Sequence, residues 1–398
     1  MSRLFVVDTA ENAKVPFLRG ILTRSLTESG LAFEDSYRLA SEVRQELTRG
    51  DQEATEITVE ALRQLVAERL GAHGEEAVQR YLHTSRLSNI QVKDRQGHVS
   101  PYSRGRHRLS LLASGLNAEE AARIVLAIYE ALLEEGVEAI ESPRLGRLTH
   151  DRLARDLGEL AARRYLLLAQ YRNGDRPLLV LIGGTAGCGK STIATEVAHL
   201  LEIVRTQSTD MLREVMRMMV PERLIPALHT SSFRAWEALP IRRAGGEDHG
   251  VIEEGYLWQV EVLSVACEAV LQRALKERVS LVLEGIHVHP SLLLRISHET
   301  DAIVVPVMLA VLKQTLLRAR IKGRGQSVPE RRAKRYLESF ESIWSLQSFL
   351  LAEADQAQVP IISNGDKDSA VLQTVQTILL ELANHFDGTP DTVFGQSG

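Results

Sequence analysis

Leu178-Leu-Val-Leu-Ile-Gly-Gly-Thr-Ala-Gly-Cys-Gly-Lys-Ser191 is an apolar run that breaks at glycine and ends on a lysine and a serine. Thr192-Ile-Ala-Thr-Glu-Val-Ala-His-Leu-Leu201 follows with its apolar residues at helical spacing. The reading is strand, then Gly184-x-x-x-x-Gly189-Lys190-Ser191, then helix, the context that a phosphate loop requires. The chemistry explains the residue types. A phosphate chain needs backbone N–H donors at close range, so a loop of Gly184, Thr185, Ala186, Gly187, Cys188 and Gly189 keeps Cβ atoms out of the way at its glycines. The helix that opens at Lys190, Ser191 and Thr192 adds unpaired N–H groups and a positive dipole end. Lys190 is expected to reach the β- and γ-phosphates, and the Ser191 hydroxyl to ligate Mg²⁺, so ATP and Mg²⁺ are the expected cofactors.

The bulk properties are those of a globular chain. Of 398 residues, 44% are hydrophobic and 25% charged, with a net charge of −5 spread over both halves. Neither half is a basic nucleic-acid binder by electrostatics, so no nucleic-acid partner is expected. No run is long and apolar enough to span a membrane, and the first residues lack a signal-peptide core; the expected location is the cytoplasm. The two cysteines argue against a disulfide scaffold. Cys188 is expected to serve as a small residue in the loop, and Cys267 to lie in a helix core.

From Pro177 onward apolar strands alternate with helices, the pattern of a parallel sheet covered on both faces. Five strands are expected, at 178–182, 203–207, 280–283, 302–307 and 359–362. Ligands of such sheets sit beyond the carboxyl ends of the strands, and several polar residues fall there. Ser208-Thr-Asp210 follows the second strand and opens a helix. Asp210 is either a first-turn acid or the carboxylate that takes the proton of a substrate hydroxyl. Glu284 ends the third strand in Leu283-Glu-Gly-Ile-His-Val-His289, the position of a carboxylate that holds Mg²⁺ with Ser191. His287 is expected to touch substrate; two histidines without further ligands nearby do not make a zinc site. Arg318, Arg320, Lys322 and Arg324 bracket two glycines as a basic lid, in which Arg320 and Arg324 would neutralise developing charge. Asn364, after the last strand, is a candidate for the adenine pocket. Leu228-His-Thr-Ser-Ser-Phe-Arg-Ala-Trp236 lies between the second and third strands. Its His229, Thr230, Ser231, Ser232 and Arg234 are the groups a small phosphorylated acid would need; alternatively Phe233 and Trp236 are a core stripe whose helix the hydroxyls cap.

The front half is duplicated. Pro16-Phe-Leu-Arg-Gly20 lines up with Pro101-Tyr-Ser-Arg-Gly105, and Arg80-Tyr-Leu82 with Arg164-Tyr-Leu166, a period of about 85 residues. Each copy reads as a short hairpin followed by helices, at 21–29, 33–47, 58–70 and 74–83, and then at 106–114, 118–135 and 149–168. Asn117 is the expected cap of the helix it precedes. The domain limits that follow are 1–88, 89–172 and 177–390, with a turn-rich linker at Arg172-Asn-Gly-Asp-Arg-Pro177.

The repeat, in Val92-Lys-Asp-Arg-Gln-Gly-His-Val-Ser-Pro-Tyr102 above all, resembles the ATP-cone domain, a nucleotide-binding regulatory module. That resemblance implies either a nucleotide sensor, with Lys93, Arg95, Arg104 and Arg106 facing phosphates, or a scaffold through which the chain forms homo-oligomers.

Ile182-Gly-Gly-Thr-Ala-Gly-Cys-Gly-Lys-Ser-Thr192, Ser208-Thr-Asp210, the His229-Thr-Ser-Ser232 run and Leu283-Glu-Gly-Ile-His-Val288 together are similar to the 2-phosphoglycerate kinase family, as is Pro16-Phe-Leu-Arg-Gly-Ile-Leu-Thr-Arg-Ser-Leu26. The resemblance implies an α/β phosphate-loop kinase domain with a five-stranded parallel sheet, preceded by a mainly helical, duplicated region. It implies phosphoryl transfer from ATP to 2-phosphoglycerate, giving 2,3-bisphosphoglycerate. The class left open beside it is a regulatory ATPase with no small-molecule acceptor. One departure stands out: the front unit occurs twice where the family pattern has one.

Overall fold

A computed structural model describes residues 4–8, 13–48, 56–71, 74–87, 90–239, 248–296, 301–323 and 330–395. The chain divides into two compact units, Met1–Ser103 with Glu130–Ser142, and Arg104–Tyr129 with Pro143–Gly398.

In the first unit, β1 (Phe5–Asp8) pairs antiparallel with β2 (Ala13–Pro16) and parallel with β3 (Glu56–Thr58). Helices α1 (Arg19–Glu28) and α2 (Phe33–Thr48) lie between β2 and β3 in sequence; α3 (Val59–Leu70) and α4 (Glu75–Leu87) follow. Leu26, Val43, Val66 and Leu70, each buried, form its apolar centre. Thr58 accepts from the Ala61 N–H and so starts α3 one residue later than the sequence expectation. A second sheet repeats the arrangement: β4 (Gln91–Lys93) is antiparallel to β5 (Val99–Pro101) and parallel to β6 (Ala139–Glu141). The expected hairpin turn is closed by Asp94, whose carboxylate accepts from the Gln96 and His98 N–H groups.

The chain order strand, strand, helix, helix, strand, helix, helix thus occurs twice. In the second pass the helices are α5 (Arg104–Ala113), α6 (Ala118–Glu134), α7 (Ser142–Leu157) and α8 (Glu159–Asn173). Asn117 caps α6 as expected: its side-chain oxygen accepts from the Glu119 and Glu120 N–H groups, and Glu120 accepts from the Asn117 N–H. The single helix expected over 149–168 is two, because Gly158 takes a left-handed φ of +90° and turns the chain between them.

The second unit is built on a five-stranded sheet: β7 (Leu178–Gly184), β8 (Arg205–Ser208), β9 (Leu281–Glu284), β10 (Ile303–Ala310) and β11 (Ile361–Ser363). The order is β11-β10-β7-β9-β8 and every pairing is parallel. The loop-bearing strand β7 therefore sits in the middle. All of its residues are buried, as a parallel strand covered on both faces requires. Leu178, Val180 and Ile182 enter one core with α9 (Lys190–Leu200), α14 (Phe340–Gln356) and α15 (Lys367–Ala383). Leu179 and Leu181 point the other way, onto Cys267, Leu271 and Ala274 of α11 (Asp248–Glu277). Burying each such side chain contributes about 1.5–3 kcal/mol, so the strand-period alternation is what sandwiches the sheet.

Leu168 and Tyr171 of α8 and Ala113 of α5 belong to the same core as β7. Tyr171 also shares a hydrogen bond with Ser280, 2.9 Å away, just before β9. Helices of the second front copy are therefore built into the phosphate-loop unit. Strand β8 starts at Arg205 instead of the expected residue 203, because Glu202 takes a φ of +58° and Ile203 drops into the core below. No helix among the described residues is long and apolar enough to cross a membrane.

Candidate active site

The carboxyl ends of β7, β8 and β9 converge on one cluster of polar residues. Between β7 and α9 the loop turns through three left-handed glycines, with φ of +141° at Gly184, +85° at Gly187 and +92° at Gly189. Neither Gly184 nor Gly189 has room for a side chain: a Cβ on Gly184 would lie 2.5 Å from the Leu309 carbonyl oxygen. One on Gly189 would collide with the Asn364 side chain, whose Nδ2 donates to the Cys188 carbonyl at 2.8 Å. Asn364, buried after β11, thus holds the loop from outside. Thr185 and Cys188 are buried and Ala186 is half-buried, whereas Ser191 and Thr192 are exposed at the mouth of the loop. Lys190 is buried and its Nζ donates to the Thr185 carbonyl at 2.8 Å, curling across the loop it would serve.

Ser191 Oγ, on the first turn of α9, donates to Glu284 Oε1 at the end of β9 at 2.9 Å. Glu284 is buried at the strand end. A buried carboxylate with one hydroxyl partner is the donor set a hard divalent cation prefers, so these two residues fit the Mg²⁺ of a nucleotide complex.

Beyond β8, Ser208 caps α10 (Thr209–Met219) by accepting from the Asp210 N–H at 3.2 Å. Asp210 is exposed on the first turn, where the helix dipole favours its charge. Thr209 is buried against Gly285. That glycine has a φ of +153°, and a Cβ on it would come within 2.8 Å of Thr209 Cβ. The close approach brings the start of α10 against the end of β9.

The Leu228–Trp236 stretch forms two 3₁₀ turns, Pro226–His229 and Ser232–Ala238. Both readings of it find partners. Phe233 is buried with its ring 5.2 Å from that of Tyr336, and Trp236 packs on the core. His229 Nε2–H donates to the Val220 carbonyl at 2.9 Å, and Thr230 Oγ1 donates to the Ala227 carbonyl at 3.0 Å. Ser232 Oγ lies 3.0 Å from His287 Nε2. Ser231 begins the second turn without capping it, and Arg234 pairs with Glu237 at 2.7 Å on the surface.

His287 is 2% exposed, and both ring nitrogens are engaged by side chains of this protein. Burial pushes its pKa down to about 3, against the opposing pull of Asp210. The ring is therefore neutral at physiological pH and faces its own scaffold. Two residues to which the sequence assigns no role join it. Gln259 of α11 is fully buried and reaches His287 at 2.8 Å. Arg213 of α10 donates to the Thr230 carbonyl at 2.7 Å. Arg213 carried a signal as a cation one turn beyond Asp210; Gln259, in the middle of an apolar helix, carried only the oddity of a polar residue there.

The basic segment divides. Arg318 stacks over the Phe340 ring at 3.8 Å and pairs with Glu341 at 2.9 Å, which anchors α12 (Gln314–Gly323). Arg320 reaches Asn364 Oδ1 at 3.5 Å and the Gly365 carbonyl at 3.4 Å, next to the loop. Arg324 lies outside the described residues, which resume with α13 (Glu330–Glu338). Cys267 is buried in the core as expected, which raises its thiol pKa to about 11.

Burial also lowers the pKa of His107 to about 4; its Nε2 lies 3.0 Å from Thr149 Oγ1. Both His107 and His287 are held neutral in the fold yet protonate near their usual pKa of about 6.5 when unfolded. Unfolding therefore takes up protons below that pH, and stability falls as pH falls from about 6.5 toward the folded values. Each ring contributes a slope of up to about 1.4 kcal/mol per pH unit in that window. Urea unfolding at pH 7 and pH 5 measures it, and His287→Asn should flatten the difference by about one histidine's share. An unchanged difference would mean that the ring is already charged in the fold.

A glycine-wrapped loop with its lysine, a serine on the first turn of the following helix paired with a glutamate at the end of the adjacent strand, and a carboxylate beyond the neighbouring strand define a phosphate-loop phosphotransferase. Named relatives narrow this. The chain is 36% identical over 294 residues to a 2-phosphoglycerate kinase of Methanopyrus kandleri, covering 74% of this chain and 88% of that one. It is 32% identical over 291 residues to that of Pyrococcus furiosus (73% and 93%), and 33% over 279 to that of Methanocaldococcus jannaschii (70% and 87%). No family model matches the chain. The chain belongs to the 2-phosphoglycerate kinase family.

Proposed function

We propose that this protein transfers the γ-phosphoryl group of ATP to the free hydroxyl of 2-phosphoglycerate, forming 2,3-bisphosphoglycerate and ADP. The observation that carries it is the convergence of Lys190, the Ser191–Glu284 pair and Asp210 at the carboxyl ends of three adjacent parallel strands, in a chain of this family. The loop amides from Gly184 to Thr192 bind the triphosphate. Lys190 neutralises charge on the transferring group, and Arg320 and Arg324 share that role. Mg²⁺, held by Ser191 and Glu284, supplies charge neutralisation on the phosphate oxygens. Asp210 orients the acceptor and takes its hydroxyl proton as the new O–P bond forms and the bond from Pγ to the leaving ADP oxygen breaks. His229, Thr230, Ser231, Ser232 and Arg234 form the acceptor side, with His287 behind them. Incubation with ATP·Mg and a panel of phosphorylated acids, followed by mass spectrometry, tests the reading. Phosphorylated 2-phosphoglycerate is the expected product; ADP and free phosphate alone across the panel would return the protein to the regulatory ATPases.

The front repeats, 1–88 and 89–172, carry a second proposal: a duplicated nucleotide-binding module that also mediates self-association. Its support is the shared strand order of the two small sheets and the cations of the second copy. Some of those cations are already engaged, for Lys93 lies 4.0 Å from Glu141 and Arg104 stacks 4.9 Å from the Tyr129 ring. Because α5 and α8 share the core of β7, the test belongs on the whole chain. Calorimetry on the whole protein should count more than one nucleotide per chain, and one fewer when Lys93 and Arg106 are replaced by alanine. A count of one at millimolar nucleotide, with light scattering showing a multimer, would leave the repeats a scaffold.

A further inference from the structure

The geometry points to His287 and Gln259 as a positioning pair that clamps the acceptor loop, 226–232, to the first turn of α10 on which Asp210 stands. The inference deepens the kinase reading and rests on it. The clamp is a closed ring of hydrogen bonds. Thr209, the neighbour of Asp210, lies 3.2 Å through its hydroxyl from His287 Nδ1. His287 Nε2 lies 2.8 Å from Gln259 Oε1. The Gln259 amide then donates to two carbonyls of the acceptor loop, Ala227 at 2.5 Å and Thr230 at 3.2 Å. Arg213, one turn along α10 from Thr209, donates to the Thr230 carbonyl at 2.7 Å and to that of Leu228 at 3.5 Å, and the ring closes where it began.

The partners dictate the tautomer. Two carbonyl acceptors hold the nitrogen of the Gln259 amide, so its oxygen is the atom that faces the histidine. Nε2 must then carry the ring proton, and Nδ1 must accept from the Thr209 hydroxyl. Ser232, 3.0 Å from the same Nε2, brings the start of the second 3₁₀ turn into the ring. A protonated imidazole would present a second N–H to Thr209 and lose that acceptor. The complete burial of His287 and Gln259 keeps water from substituting for any member.

The functional consequence is one of distance. Phosphoryl transfer needs the acceptor oxygen in line with the γ-phosphorus, and a misplacement of about 1 Å costs on the order of a hundredfold. The ring fixes the polar groups of the acceptor loop relative to Asp210, yet neither His287 nor Gln259 lines the phosphate loop. Loosening it should therefore penalise the acceptor and spare the nucleotide.

Conservative variants of the whole protein test this. His287→Asn places an amide oxygen near Nδ1 and keeps the Thr209 bond while losing the Gln259 bond. Gln259→Leu removes the relay and keeps the volume. Wild-type transfer to 2-phosphoglycerate is measured first, since its absence overturns the kinase reading by itself. In both variants kcat/KM for the acceptor should then fall about ten- to a hundredfold, with KM for ATP within about twofold and the shape of the kcat pH profile unchanged. Values for the acceptor within twofold of wild type, or an equal rise in both KM values, would overturn the clamp. So would the loss of one limb of the pH profile in His287→Asn, the mark of direct proton transfer. Nitrogen-15 NMR of the imidazoles gives a readout that needs no turnover: the His287 ring should hold the Nε2–H form between pH 8 and pH 5 in the wild type and lose that restriction in Gln259→Leu. Protonation of the wild-type ring in that range would sink the proposal even in an active enzyme.

Discussion

Lys190→Ala is expected to lower kcat by about two to three orders of magnitude or more, the cost of removing a preorganised donor from developing oxyanion charge. The side chain is buried, its Nζ already sits over the loop on the Thr185 carbonyl, and the path to a bound phosphate needs only a rotation of its stem. Burial also sharpens the effect, because an ammonium in a low-dielectric loop acts on phosphate charge with less solvent screening than one at the surface. The fold should survive. Leu178, Val180 and Ile182 beneath the loop pack without Lys190, so unfolding by urea should shift little while turnover is lost. Steady-state kinetics with coupled ADP detection reads the first quantity, and a variant that retains a tenth of wild-type kcat would move the phosphate contact elsewhere.

Asp210→Asn is expected to reduce kcat by about 10²–10⁴, the usual cost of losing a general base, with nearly unchanged ATP affinity. The amide keeps the shape of the carboxylate and can still lie on the first turn of α10, where Ser208 does the capping. The variant therefore separates chemistry from helix stability. If kcat stays near wild type and only stability falls, by about 0.3–1 kcal/mol, Asp210 is a dipole partner for the helix and nothing more. Single-turnover phosphoryl transfer at saturating acceptor distinguishes the two outcomes most directly.

Lys190 and Asp210 stand out in the sequence because the pattern around each is local. A glycine loop followed by lysine and serine announces itself within eight residues, and the strand and helix around it follow from periods of two and of about 3.6. The glutamate that closes β9 ends an apolar strand, and the aspartate that opens α10 follows the serine that caps that helix. Five strands could be counted, and the cap at Asn117 and the burial of Cys267 followed from pattern alone. The front repeat was visible as sequence, and both small sheets share one order. Its breaks were harder. Gly158 splits an apolar pattern that continues on both sides, and only its left-handed backbone reveals the turn.

His287 is legible in the sequence as a polar residue near the site, but its partners are not. Along the chain it looks like a group facing substrate; in the fold it faces Thr209, Ser232 and Gln259. Those partners lie 78, 55 and 28 residues away, and nothing in the spacing of the chain foretells them. Asn364 and Cys188, 176 residues apart, meet for the same reason. The sequence by itself determined the phosphate loop, the strand–helix alternation and the types of chemistry available, because each is set by neighbours within a turn or a strand. Tertiary structure decided which strand lies beside which, that two front helices share the core of the phosphate-loop sheet, and which way a buried histidine points. Such contacts join distant segments, and burial of apolar surface across the whole unit selects them; no local preference does.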